Sequence, residues 1–279
     1  MLDKEWIIES QHSLFNLRLK EIANYKHLLF QLVKRDVVAL YKQTILGPIW
    51  FFIQPLLTTL VFTFIFGKLA KVSTDGLPQS LFYLAGIINW NYFSECLNKT
   101  STVFKDNALI FGKVYFPRII VPISISISIL SRFAIQLLVF LICLIIYHYK
   151  GIQFHLTSAI FIFPLMIVLM ATLGLGLGLI ISALTVKYKD LYFLIGFGLQ
   201  LLMYTTTVIY PLSAAPENLK WLIQMNPMTT VIELFRNSFL GKGDFTAGNL
   251  TYSISTTVFL LFLGLVSFNK VEKTFIDTI

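Results

Sequence analysis

The sequence predicts an all-α integral membrane protein with six transmembrane helices, and three observations lead there. Of its 279 residues, 56% are hydrophobic and only 13% are charged, whereas a soluble domain carries about a quarter charged residues. The run from Gly47 to Gly67 holds no ionisable side chain, and about 20 such residues in a helix cross a hydrocarbon core roughly 30 Å thick. The cations fall on alternate connections between apolar runs, the asymmetry that orients helical membrane proteins.

Residues 1–47 read as a cytoplasmic N-terminal segment with an amphipathic interface helix. Leu29, Leu32, Val33, Val37 and Leu40 recur at helical spacing, with Lys34, Arg35 and Asp36 on the other side. Such a helix lies in the headgroup plane with its cations toward anionic lipid. It serves either as a juxtamembrane anchor or also as a packing face for a cytoplasmic partner. The first 40 residues lack the apolar core and small-residue site of a secretory signal, so the chain is expected to start in the cytoplasm.

Residues 48–270 then form the six-helix domain, with spans at about 48–70, 81–103, 119–147, 156–184, 191–210 and 250–268, and 271–279 as a cytoplasmic tail. The second span carries Asn89, Asn91, Glu95 and Asn98 and is the less apolar for it. In the third, Ile123–Ile129 alternates with period two like a strand, but a lone strand in hydrocarbon leaves its backbone groups unsatisfied. A helix is expected instead, with Ser124, Ser128 and Ser131 along one face suited to close packing.

The stretch from Phe104 to Arg118 is too polar to span and too apolar for a free loop. Asp106 or Asn107 can cap a short helix there and Pro117 ends it, a combination that suits docking against another protein. Between spans five and six, a short helix is expected over Pro216–Met225. Asn226 as N-cap and Pro227 at the first helical position open a second, which Gly241 breaks after Leu240. With this topology fifteen lysines and arginines lie inside and six outside. That distribution accounts for the net charge of +8 without a nucleic-acid partner.

The residues also exclude several chemistries. Gly174, Gly176 and Gly178 have the spacing of a phosphate loop, yet they sit mid-span with no strand before them, so close helix packing is their expected use. No Walker sequence occurs, so any ATP hydrolysis falls to another subunit, and no cofactor is expected in this chain. Cys96 and Cys143 lie in separate apolar runs and form neither a disulfide framework nor a metal site. His12, His27, His148 and His155 are scattered, so a membrane enzyme acting on lipid-linked sugars lacks its clustered histidines or carboxylates.

Two charges lie within spans, Glu95 and Arg132; each costs several kcal/mol at such depth unless paired or hydrated, so they pair or face a polar channel. Glu233 and Arg236 stand at i, i+3, which stabilises an exposed helix by only about 0.2–0.5 kcal/mol. Their alternative role is to hold a gate across a symmetry axis. The 26 Phe, 12 Tyr and 4 Trp are mostly for packing and lipid, but aromatic faces also suit the C–H face of a sugar ring.

Four stretches carry a family likeness. They are the amphipathic helix, YKQTILGPIWFFIQPLLTTLVFTFIFGKLA, LFYLAGIINWNYFSECLNKTSTVFKDNALIFGKVYFPRIIVPIS and VKYKDLYFLIGFGLQLLMYTTTVIYPLSAAPENLKWLIQMNPMTTVIELFRNSFLG. In this order, over about residues 25–270, they resemble the permease subunits of ABC transporters that export O-antigen, capsule or teichoic acid. The resemblance implies a homodimer in the bacterial inner membrane with both termini cytoplasmic. Each copy would pair with a nucleotide-binding subunit that holds ATP and Mg. A channel at the dimer interface would pass a lipid-linked polysaccharide.

Carried onto this sequence, the coupling segment is Asp106, Asn107, Lys113, Tyr115, Phe116, Pro117 and Arg118, joined by Lys34 and Arg35. Periplasmic gate helices hold Pro216, Trp221, Asn226, Pro227, Glu233 and Arg236, and Lys187, Lys189 and Asp190 match the turn between spans four and five. The path is assigned to Trp50, Gln54, Trp90, Tyr92, Gln200, Tyr204 and Tyr210. Gly47-Pro48 reads as a hinge at the foot of the first span, and Gln54-Pro55 as a polar break in a wall of the path. An acidic residue is expected near Arg132 in relatives, so no charge pairing there is carried over. An exporter of drugs or simple lipids is the alternative within transport.

Overall fold

All regular structure among the described residues of the computed structural model, 24–42, 49–112, 116–188 and 190–275, is helical. Hydrocarbon offers no partner to a backbone N–H or C=O, so each spanning segment must satisfy its own. Helix α1 is Lys26–Lys42 and α2 is Ile49–Phe62, which widens into a π-helical turn over Thr63–Leu69. Then come α3 (Gln79–Ser101), the short helical turns Val103–Asp106 and Ala108–Phe111, and α4 (Ile120–Tyr149). Helices α5 (Phe163–Lys187), α6 (Leu191–Tyr204), α7 (Glu217–Gln224), α8 (Pro227–Leu240) and α9 (Ala247–Phe275) complete the order. Gly47-Pro48 and Lys189 lie outside the described residues.

Among the described residues four helices are long and apolar enough to cross a membrane: Ile49–Leu69, Ile120–Tyr149, Ser158–Lys187 and Ala247–Glu272. The other two segments predicted as spans coincide with α3 and α6, which fall short for different reasons. Helix α6 has 14 residues, about 20 Å of helix, and the chain leaves the helix after Tyr204. Helix α3 is long enough but sits at the centre of the bundle, packed by α2, α4, α5 and α8. Every residue from Leu81 to Trp90 is buried. Because protein rather than lipid surrounds it, α3 can carry amides: the Asn89 side chain donates to the Ala85 carbonyl at 2.7 Å, and Asn91 to Gln136 of α4 at 3.4 Å.

Two close helix contacts fix the bundle. Gly174 and Gly178 of α5 face α3: a Cβ at Gly174 would stand 2.8 Å from the Cβ of Cys96 and 3.0 Å from the Phe93 carbonyl. On the other side Gly176 meets α9, where a Cβ would come within 2.8 Å of Leu261 Cα, and Gly264 returns the contact. Backbones this close gain dispersion along their whole length, the main attraction left where solvent is as apolar as side chains. The glycine run therefore serves packing.

The alternating Ile123–Ile129 stretch is helical, as its surroundings require. Its serines bond inward to their own helix: Ser124 to the Val121 carbonyl (2.8 Å), Ser128 to that of Ser124 (2.7 Å) and Ser131 to that of Ser128 (2.7 Å). Each hydroxyl thus satisfies itself within three or four residues. Small size, not bonding across helices, is what these serines contribute.

Candidate functional site

At the α1 end of the bundle, Leu32 of α1 enters a second apolar core with Val103, Phe104, Phe111, Phe116, Ile120 and Phe268. Phe104 stacks on Phe268 with centroids 4.6 Å apart. Of the α1 pattern read from sequence, Leu32 is buried, Leu29, Val33 and Val37 are half-buried, and Lys34 and Arg35 are exposed, while the Leu40 side chain lies outside the described ones. Arg35 is held by its neighbour Asp36 at 2.8 Å.

Within the predicted coupling segment the residues divide. Asp106 is exposed and accepts from the Thr102 hydroxyl at 2.6 Å, while Asn107 donates to the Val103 carbonyl. Phe116, Pro117 and Arg118 are buried, and Lys113 and Tyr115 lie outside the described residues. Arg118 faces inward: it donates to the carbonyls of Phe111 (3.3 Å) and Glu272 (3.2 Å) and lies near the Glu272 carboxylate. Burial pulls its pKa down while Glu272 opposes the shift. Its part is to pin the 108–111 turn to α9, not to present a charge to a partner. Leu109, which the sequence reading passed over, is 78% exposed at the tip of that turn.

Glu95 and Arg132 pair directly between α3 and α4. The Arg132 guanidinium also lies 4.6 Å from the Phe51 ring of α2, a favourable contact with the ring's negative face. Arg35, Asp36, Lys99 and Asp106 line the same cleft, a cavity of about 240 Å³. Glu95 and Arg132 thus pair with each other and also line this polar cleft.

At the opposite end, the pair Glu233–Arg236 departs from the expectation of an exposed helix. Both side chains of α8 are buried, 3% and 1% exposed. The Arg236 guanidinium donates to the carbonyls of Thr207 (2.6 Å), Phe82 (3.2 Å) and Val208 (3.2 Å), bonds Glu233 at 3.3 Å, and stacks 3.5 Å over the Phe82 ring. The second Glu233 oxygen accepts from the Asp244 N–H at 3.0 Å. One arginine therefore ties α8, α3, the 205–211 segment and, through Glu233, the turn before α9. Burial lowers its pKa to about 10 and the Glu233 carboxylate opposes the change, so it stays charged at neutral pH. Every bond named for the pair closes within this chain.

The rest of this end follows from local chemistry. The Asn226 side chain caps α8 by accepting from the Met228 N–H at 3.1 Å, with Pro227 at the first helical position. Gly241 ends α8 at φ 70°, the left-handed conformation that favours glycine. Helix α7, preceded by exposed Pro216, packs Ile223 inward and leaves Trp221 61% exposed beside exposed Leu222 and Met225.

The residues assigned to a path separate into surface and core. Trp50 and Gln54 lie one turn apart on an exposed face of α2, beside the buried Pro55, which lacks the N–H to complete the ladder of an otherwise continuous helix. Gln200 and Tyr204 share an exposed face of α6, their side chains 3.5 Å apart, and the Tyr210 hydroxyl donates to the Tyr204 carbonyl at 2.9 Å. Trp90 and Tyr92 are buried in α3. Their place is in the apolar core.

A bundle of helices, four of them long and apolar enough to cross a bilayer, with amides and an ion pair between the central helices, defines a helical membrane protein. Residues 27–240 match the ABC-2 type transporter family, and the chain belongs to that family. It is 27% identical over 250 residues to an O-antigen export system permease protein RfbA of Klebsiella pneumoniae, covering 90% of this chain and 94% of that one. It is 26% identical over 263 residues to a protein of the same description from Myxococcus xanthus, covering 94% and 98%. The polysialic acid transport protein KpsM of Escherichia coli is 24% identical over 259 residues, with 89% and 98% covered.

Proposed function

We propose that this chain is the permease subunit of an ABC exporter that moves a lipid-linked polysaccharide, of the O-antigen or capsule kind, out of the cytoplasm through the inner membrane. The observation that carries this reading is similarity along about nine-tenths of the chain to relatives named for O-antigen export and polysialic acid transport. The chain acts as six spans, α2 to α6 and α9, with α7 and α8 as gate helices on the periplasmic side and both termini in the cytoplasm. Two copies form the channel, and two partner ATPase subunits hold ATP and Mg. The distribution of cations supports that orientation.

The exposed faces of α2, with Trp50 and Gln54, and of α6, with Gln200 and Tyr204, supply the path wall. Aromatic planes alternate there with groups that exchange hydrogen bonds with hydroxyls. Closure of the ATPase pair pushes on the exposed residues of the 103–112 turns and on α1; Leu109, Lys34 and Arg35 are the contacts. Arg118 transmits that push to α9 through the Phe111 and Glu272 carbonyls. The test is complementation of a strain lacking this gene, with surface glycan read by gel and by antibody. Restoration by the wild-type chain together with its partner ATPase, and failure without either, is the expected result. Normal surface glycan in the deletion strain overturns the proposal.

A further inference from the structure

We propose that the groove between α3, α5 and α6 holds one hydrocarbon chain of an anionic phospholipid, whose headgroup phosphate is engaged by Lys105 and Lys187. Helix α6 leans on the bundle lightly: within Leu191–Tyr204, Ile195 is the buried residue. Behind it lies a cavity of about 200 Å³ walled by Leu97, Ile181, Leu184, Leu194, Gly198 and Leu202. A second cavity, about 330 Å³, also has Leu202 in its wall and runs toward Thr205 and Asn226. Together they follow α6 for about 20 Å, enough for the roughly 15 Å that one leaflet's chain occupies. The first cavity presents no polar side chain to hold water, and in a bilayer the fluid at hand is hydrocarbon.

The charge lies at one mouth. Lys105 Nζ stands 4.5 Å from the Tyr192 ring centroid, and Lys187 Nζ 5.1 Å from that of Tyr188. The Thr185 hydroxyl donates to the Ser101 carbonyl at 3.2 Å, which ties the ends of α3 and α5; Lys187 stands three residues beyond Leu184 and Lys105 covers the ring next in sequence to Leu191, both leucines of the cavity wall. Both lysines are exposed. Of the carboxylates near them, Asp106 accepts from Thr102 and Asp190 is exposed. A basic mouth between helices selects acidic headgroups, and tyrosines belong at that depth. The bound chain props α6 against the bundle, so the face bearing Gln200 and Tyr204 depends on lipid composition. None of this depends on what the protein exports.

The test uses the purified full-length protein, with lipid retention measured by native mass spectrometry for phosphatidylglycerol and phosphatidylcholine. Wild type is expected to retain phosphatidylglycerol preferentially. K105Q and K187Q should each weaken that retention about fivefold, with phosphatidylcholine unchanged. Phosphatidylglycerol carrying a mid-chain diazirine should cross-link within 191–202, and Gly198→Phe should suppress that cross-link, since a Cβ at Gly198 meets nothing within 4 Å. Equal retention of the two lipids, or undiminished phosphatidylglycerol in the double lysine variant, overturns the headgroup assignment. Cross-links reaching the exposed Phe259 and Phe262 of α9 equally, or a disulfide between two copies through Leu194→Cys, overturn the groove as a lipid site.

Discussion

Replacing Arg236 with methionine removes the buried cation that joins four parts of the chain. Methionine keeps most of the volume, so the loss is chiefly electrostatic. Glu233, 3% exposed, would keep one bond from the Asp244 N–H and lose its counter-charge, while three carbonyls lose a charged donor. Breaking a buried pair by removing one partner costs about 3–5 kcal/mol, and single hydrogen bonds to a charge contribute about 1.5–3 kcal/mol. These overlap and do not add, so a loss of about 3–5 kcal/mol is expected. The measurement is equilibrium unfolding of the full-length protein in mixed detergent micelles. In E233Q/R236M the stranded carboxylate is gone, and the double variant should be more stable than R236M alone. A loss below about 1 kcal/mol in R236M, or a double variant costing the sum of the singles, would refute the clamp.

Other outcomes follow from the same geometry. Gly86→Ala would bring a Cβ within 3.0 Å of Val208 Cα and carbonyl oxygen; backbone atoms cannot yield easily, and a loss of about 1–3 kcal/mol is expected in the same unfolding assay. Asn226→Ala removes the α8 cap and should cost about 1 kcal/mol, while Asn226→Asp should keep most of it. Gly264→Leu, placed against the Gly176 backbone, should separate α5 from α9 and abolish stable purification of the protein. Leu109→Glu should leave unfolding unchanged, since the side chain is exposed, yet lower ATPase stimulation and export together in reconstituted vesicles; unaltered export in that variant removes Leu109 from the coupling surface.

Much of the helix order was legible because apolar runs, proline and glycine act locally. Asn226-Pro227 opens α8 and Gly241 closes it for reasons contained in three or four residues. The amphipathic face of α1 shows the same: Leu32 is buried and Lys34 exposed, as their spacing demands. Elsewhere the local rule pointed the wrong way. The i, i+3 spacing of Glu233 and Arg236 reads as a weak surface pair, and nothing within α8 tells that α3 and the 205–211 segment close over it. The family resemblance puts Arg118 in the coupling segment, and nothing around Pro117 tells that its partners lie on the 108–111 turn and on α9. Leu109 carries no sequence signal at all, since an exposed leucine looks like any other until its neighbours are placed.

By itself, then, the sequence determined that the chain is helical, that it enters a membrane, and where most helices begin and end. Hydrocarbon enforces the first two and residues a few positions apart enforce the third. The tertiary structure decided which helix is central and which charges are used internally. Arg236 bonds carbonyls 28 and 154 residues away, and α3 is buried because four helices surround it, not because it is the most apolar. Contacts between distant segments depend on how backbones approach, and here that approach is set by Gly86, Gly174, Gly176 and Gly178. A glycine's effect is felt in what its absent side chain admits, and that is visible only once the neighbour is in place.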